Sequence, residues 1–282
     1  MDSRPGCFFR TAYDSRLRFP GFRLHSAPQN CLPAPVTRLT RLFHVSDLHF
    51  GAEDRAALDW FAGEVASNPP DAVICTGDLT LRGRPREFAA AAEWLSELGV
   101  PVSVEPGNHD MPYYWDPLRR MLRPYGRFQA MHSQVHSDLA LEDVAVVSLK
   151  TIARAQWRLN WSKGRVRQRE LGNALAGIDA AGAKALRLVA CHHPLIDADT
   201  RSTGSTRGGR RALAALAAAG VDAVLSGHVH DAFDLRVETQ GGPIRVIGAG
   251  TLSERLRATR PSYNLLEWSA EAGLVVKPQV MG

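Results

Sequence analysis

Five short polar clusters in this chain carry residue types that bind metal ions and move protons. They are Asp47-Leu48-His49, Gly77-Asp78, Gly107-Asn108-His109-Asp110, His192-His193-Pro194 and Gly227-His228-Val229-His230. Together they offer carboxylates, imidazoles and one amide, with no thiolate. That donor mixture suits Mn²⁺, Fe or Zn²⁺ better than a structural thiolate-zinc site or an all-oxygen calcium site. Taken singly, each cluster has a plainer reading: a helix cap with a surface histidine for Asp47 and His49, a turn for Gly77-Asp78, a strand-end pair for His228 and His230. What binds them together is a common address, because each follows directly on a short apolar run.

Those runs are the elements that must position the chemistry. Arg41–Ser46, Asp71–Thr76, Val100–Glu105, Val144–Lys150, Leu186–Cys191 and Val221–Ser226 read as buried strands. Between them, Arg55–Asn68, Arg86–Leu98, Arg169–Ala180 and Arg210–Ala219 have helical spacing. The alternation implies βαβ units and a largely parallel first sheet. In such sheets the carboxyl ends of strands form the ligand crevice, so residues distant in sequence converge there. Gly77, Gly107 and Gly227 would let the chain turn sharply at the strand ends. Ala232–Glu238, Ile244–Gly248, Tyr263–Ser269 and Leu274–Gln279 read as successive antiparallel strands extending a second sheet. The expected α/β architecture is a four-layer αββα sandwich, two mixed sheets face to face with helices outside.

The series D-x-H, G-D, G-N-H-D, H and G-H-x-H over residues 45–230 resembles the calcineurin-like metallophosphoesterase superfamily. The resemblance implies two divalent ions. Asp47, His49, Asp78 and His230 would hold one, and Asp78, Asn108, His192 and His228 the other, with Asp78 bridging. Pro194 selects His192 over His193, since the family places its ligand two residues before a proline. Two ions about 3.5–4 Å apart can clamp the attacking and leaving oxygens of a phosphoryl displacement and acidify a bound water to hydroxide. A carboxylate such as Asp78 can bridge because each of its oxygens can meet one ion. Asn108 adds a neutral oxygen, limiting the negative charge that would repel phosphate. By resemblance, His109 is the catalytic group that protonates the leaving oxygen or stabilises phosphoryl charge, and Asp110 orients its ring.

The implied activity is hydrolysis of a small phosphodiester such as a cyclic nucleotide, as in compact bacterial phosphodiesterases of that type. Phosphomonoester hydrolysis and an SbcD-like DNA nuclease are alternatives. The nuclease usually carries DNA- and partner-binding segments for which this chain has little room. A non-catalytic scaffold, like the degenerate retromer subunit of this fold, is disfavoured because all seven ligands and His109 are present.

Composition narrows the partners. Of 282 residues, 45% are apolar and 22% charged, which excludes wholesale disorder. No apolar run approaches the roughly 18 residues of a membrane-spanning helix. The net charge of +5 arises entirely within residues 1–41, where seven arginines face two aspartates. The remaining chain is balanced, which argues against a nucleic-acid partner. Residues 1–36 are expected to be a disordered extension and 37–282 the catalytic domain. The extension lacks the apolar core of a secretory signal, and Cys7, Cys31, Cys75 and Cys191 form no dense framework. A reducing, cytoplasmic setting is expected. Several other features carry less weight. The Ser202–Arg211 loop lacks a P-loop ending, although Arg201 or Arg207 could reach a phosphate. Tyr113-Tyr114-Trp115 could stack on a base or pack the next helix. His132 and His136 lack the glutamate of a zinc-protease motif. Basic Arg154–Arg169, with Trp157 and Trp161, reads as a solvated face.

Overall fold

Along each central strand of the computed structural model, alternate apolar residues leave for opposite layers, and this period of two builds the sandwich. The structure describes residues 38–112, 116–152, 163–200 and 206–282. In chain order the elements are β1 (Thr40–Val45), α1 (Arg55–Ser67), β2 (Ala72–Cys75), α2 (Pro85–Glu97), β3 (Val102–Val104), α3 (Pro117–Leu122), α4 (Gly126–Val135) and β4 (Val144–Ser148). Then come α5 (Gln168–Ala180), β5 (Leu186–Ala190), α6 (Gly209–Ala218), β6 (Ala223–Ser226), β7 (Phe233–Thr239), β8 (Gly242–Gly248), β9 (Ser262–Ser269) and β10 (Gly273–Val280). One sheet has the order β10-β9-β1-β2-β3 and the other β4-β5-β6-β8-β7.

Three apolar layers follow. Leu42, Ile74, Leu188, Leu225, Ile247 and Leu266 point inward and form the core between the sheets. Their neighbours Phe43, Val45, Val73 and Cys75 point outward, onto Leu58, Phe61 and Val65 of α1 and Phe88 and Leu95 of α2. Val189 and Val224 likewise meet Leu171 and Ile178 of α5 and Leu213 and Leu216 of α6. Helix α1 starts where Asp54 accepts the Ala57 amide at 3.2 Å and buries Leu58, Phe61 and Val65 along one stripe.

The expected αββα architecture is observed, with one correction in its closing strands. Only β7 and β8 join the second sheet; β9 and β10 return to the first, with β9 antiparallel beside β1. Burial explains the difference. Leu266 and Trp268 of β9 face the inter-sheet core while Tyr263 packs in the helix-side core, so β9 is apolar on both faces and suits an interior position. Strands β7 and β10 are largely exposed, and they occupy edges. The α3 and α4 helices fall between the expected strands Val100–Glu105 and Val144–Lys150, a stretch for which no element was expected. The expected extension 1–36 lies outside the described residues.

Candidate metal centre

Sharp backbone turns at the strand ends bring the five clusters together. Among the described residues, Asp47, His49, Asp78, His228 and His230 have φ of 57°, 47°, 53°, 72° and 62°; only one other non-glycine residue, Asp199, has positive φ. A left-handed non-glycine residue costs about 1–3 kcal/mol and persists where its surroundings impose it, most often at functional sites. Here backbone bonds impose it: the Asp47 amide donates to the Gly77 carbonyl at 2.9 Å and the His49 amide to that of Asp78 at 3.0 Å. The His228 amide donates to Asp47 Oδ2 at 2.8 Å, which ties the ends of the two sheets. Glycine serves two different purposes in these turns. Gly77 turns at φ +98°. Gly107 and Gly227 have no positive φ but allow close approach: a Cβ on Gly107 would collide with Asp78, and one on Gly227 with Ser46 and Asp47.

The histidine tautomers follow from the carbonyls behind each ring. His192 Nδ1 lies 2.8 Å from the Thr76 carbonyl and His230 Nδ1 2.6 Å from that of Arg255; His49 Nδ1 is 3.4 Å from that of Thr80. A nitrogen facing a carbonyl carries the proton, so in each neutral ring Nε2 presents its lone pair inward. These lone pairs meet other acceptors. His230 Nε2 is 3.1 Å from Asp47 Oδ1 and 3.3 Å from His49 Nε2. His192 Nε2 is 3.4 Å from Asp78 Oδ2, 3.2 Å from Asn108 Oδ1 and 3.3 Å from His228 Nδ1. Asp47, His49, Asp78 and His192 are all essentially fully buried. Acceptors facing acceptors in a desolvated site need a cation between them, whether proton or metal.

The proton equilibria carry the same signature. For His192, burial pulls the imidazolium down, but Asp78 and Asp47 outweigh it and push the ring up to about 9. His230 is raised by Asp47 against its own burial. Burial alone would raise Asp47 and Asp78, yet the surrounding imidazoles hold both below the usual carboxylate range. His228 falls to about 3 through burial and the neighbouring His192. Ligand atoms of Asp47, His49 and His230 lie within 4.8 Å of one another, as do those of Asp47, Asp78 and His192. His193 does not share the position of His192 between Asp78 and Asn108; its Nδ1 is 3.0 Å from the Thr151 hydroxyl.

Two expectations are revised. Asp78 does not offer its two oxygens to the cluster alike: Oδ1 also accepts the His109 amide at 2.8 Å. Its Oδ2 alone lies between the two groups, 3.8 Å from His49 Nε2 and 3.4 Å from His192 Nε2. Asp110 does not orient His109. Its carboxylate accepts the Leu79, Thr80 and Gly107 amides and the Thr80 hydroxyl, at 2.8–3.2 Å, leaving no capacity for the ring. The ring is held instead by the Leu81 carbonyl, 2.6 Å from His109 Nδ1. Burial and the Asp78 charge push Asp110 up to about 6.

Sequence reading missed the residues that hold this shell. The Leu81 and Arg255 carbonyls have no side-chain signal. Thr251 donates to the Asp47 carbonyl at 2.6 Å, and His44, buried and pushed down to about 3, meets the Thr76 hydroxyl at 3.1 Å. His132 and His136 stack on each other with centroids 4.1 Å apart and belong to no ligand group among the described residues. Cys75 and Cys191 are buried free thiols, pushed up by burial. Tyr113 to Trp115, Arg154, Trp157, Trp161 and Arg201 lie outside the described residues.

The αββα sandwich with carboxylate, amide and imidazole donors converging at its strand ends is the arrangement that the motif series led us to expect. The chain belongs to the calcineurin-like phosphoesterase family, whose sequence model matches residues 40–232, and it is a hydrolase acting on phosphoester bonds. A probable cyclic nucleotide phosphodiesterase from a Synechococcus species is 28% identical over 203 residues, covering 67% of this chain and 72% of that protein. A glycerophosphodiester phosphodiesterase from Enterobacter lignolyticus is 38% identical over 80 residues, covering 24% of this chain and 29% of its own length. Among solved structures, a dimetal phosphatase from Danio rerio superposes with a TM-score of 0.58 at 13% identity, covering 84% of this chain and 98% of that one. A purple acid phosphatase from yellow lupin seeds gives 0.60 at 12% identity, covering 86% and 52%. At such identities the likeness is one of fold. No helix among the described residues is long and apolar enough to cross a membrane.

Proposed function

We propose that this protein is a two-metal phosphodiesterase acting on small diesters, a cyclic nucleotide being the leading substrate class. The observation that carries the metal reading is the convergence of buried acceptors on one another, with Asp47 Oδ1 facing only the imidazole nitrogens of His230 and His49, at 3.1 Å and 3.6 Å. Asp47, His49, Asp78 and His230 would hold one ion, and Asp78, Asn108, His192 and His228 the other, with Asp78 shared between them. Nitrogen and oxygen donors without thiolate fit Mn²⁺, Fe or Zn²⁺. When bound, such ions polarise a phosphoryl oxygen and acidify water to a nucleophile near neutral pH. The diester preference is supported by the two relatives named above, both of them diesterases by name.

The protein's own contribution is orientation and proton delivery. The Thr76, Thr80 and Arg255 carbonyls fix the tautomers of His192, His49 and His230, so each ring presents Nε2 without a search over rotamers. With Nδ1–H committed to the Leu81 carbonyl, His109 is left with Nε2 for the substrate, and only the doubly protonated ring can pass a proton from there to the departing oxygen. Asp110 acts on the backbone: by gathering the Leu79, Thr80 and Gly107 amides it keeps Asp78 and His109 in register. Metal-loaded protein tested against matched nitrophenyl monoesters, nitrophenyl diesters and cyclic nucleotides should favour the diesters. Preference for the monoester would overturn the diesterase reading, and full metal occupancy without turnover on any ester would overturn the catalytic one.

A further inference from the structure

Strands β3 and β4 are edge strands, at the ends of their sheets opposite β10 and β7, and α4 and α5 pack beside them. Between these elements lies a cavity of about 430 Å³ that none of the proposed metal ligands lines. Glu105 lines it although the residue is only 3% exposed. One carboxylate oxygen accepts the Ser148 hydroxyl at 2.5 Å, and among the described residues the other accepts no hydrogen bond. Burial without a full set of donors pushes this carboxyl up to about 7, against the opposing pull of Ser148 and Lys150.

The opposite wall is aromatic. Phe128, His132 and His136 recur every four residues along α4 and its cap, with ring centroids 5.4 Å and 4.1 Å apart, and all three line the cavity. His136 Nδ1 accepts the Val104 amide at 3.2 Å, which places that ring's remaining proton on Nε2. Tyr125 closes the row, with the Lys150 ammonium 5.8 Å from its ring centroid. A buried acceptor beside a row of flat rings fits a flat ligand that carries adjacent N–H groups on one edge.

We propose that this cavity binds a nitrogen heterocycle of the guanine class, its N–H edge on Glu105 and its face along the α4 aromatic row. Guanine presents neighbouring ring and exocyclic N–H donors on its Watson–Crick edge, whereas adenine interposes an acceptor that would face the carboxylate. A buried acceptor left unpaired by the wrong ring is what makes such sites selective. The ligand can be the base of a nucleotide substrate or a separate guanine-containing effector, since both carry the same edge.

Guanosine distinguishes this site from the metal centre because it has no phosphate. Calorimetric titration of the full-length, metal-loaded protein with guanosine should give saturable binding, with adenosine at least about 10-fold weaker. Glu105→Gln should weaken guanosine by about 10–100-fold, the size of a hydrogen bond to a charged group. His132→Ala on α4 should weaken it independently, which keeps the proposal testable if the first variant misfolds. Competitive inhibition of cyclic GMP hydrolysis by guanosine would assign the cavity to the substrate's base; an altered kcat at unchanged KM would assign it to an effector. Absence of saturable guanosine binding, or binding unchanged in both variants, would overturn the proposal. These outcomes are independent of metal content and of the ester preference, so failure here and failure of the diesterase reading are separately visible.

Discussion

The two sheets bring different chemistry to the place where their strand ends meet. The first supplies Asp47, His49, Asp78, Asn108 and His109, and thus both carboxylates and the amide; the second supplies only imidazoles, His192, His228 and His230. The first half carries the negative charge and the second the neutral lone pairs, so neither half alone makes a cation site of balanced charge. The contact that joins them is narrow: the His228 amide on Asp47 Oδ2, with Gly227 lying against Ser46. Charge asymmetry of this kind implies that losing a carboxylate costs more than disturbing an imidazole, and that the seam is sensitive to a single methyl group.

The largest expected effect comes from Asp78→Asn, which removes charge from the residue lying between the two ligand groups. Metal analysis should find both ions depleted, and turnover should fall by more than about 10⁴-fold because neither the clamp nor nucleophile activation survives. Unchanged metal content with full turnover would remove the two-metal reading. Next in size, His109→Ala should cost about 10²–10⁴-fold on an alkyl or ribosyl ester, and much less on a nitrophenyl ester whose leaving group departs unaided. Metal content should stay intact. An equal loss on both esters would indicate charge stabilisation in place of proton transfer, and a lost metal would place His109 among the ligands.

The seam itself is tested by Gly227→Ala. The added Cβ has no room against Ser46 and Asp47, and overpacking of this kind typically costs about 1–3 kcal/mol. A lowered melting temperature together with weakened metal retention is expected; a variant of wild-type stability would mean that the two halves can separate slightly without penalty. The smallest effect is a pH slope. In the metal-free protein His192 is raised from 6.5 to about 9. A raised pKa contributes stability that is fully present below the unfolded value and is lost as pH rises through the folded one. Above about pH 7.5, Asp110 and Glu105, at about 6 and about 7, are largely ionised and add little slope. Chelator-treated protein should therefore melt progressively lower between about pH 7.5 and 9, and His192→Asn should flatten that slope. A slope that persists in the variant would assign the proton to another group.

The local signals in the chain were sufficient for the strands, the helices that bury Leu58, Phe61 and Val65 or Leu171 and Ile178, and the shared strand-end address of the five clusters. Each depends on neighbours within a few residues: period-two alternation, helical spacing, or a glycine next to an acidic or imidazole side chain. Contacts between distant segments decided the rest. Whether β9 joined the first or the second sheet depended on which core could cover its two apolar faces, and that is a property of the assembled layers. The assignment of Asp110 failed for the same reason, because adjacency to His109 in sequence says nothing about the Leu79 and Thr80 amides that consume its oxygens. His192 and His193 are identical in type; the following Pro194 favours His192 by resemblance, and the structure adds that His192 faces Asp78 and Asn108 while His193 Nδ1 meets the Thr151 hydroxyl. The sequence alone determined which donors the site contains; the tertiary structure decided which nitrogen or oxygen of each donor faces inward, because that depends on backbone carbonyls and amides contributed from elsewhere in the chain.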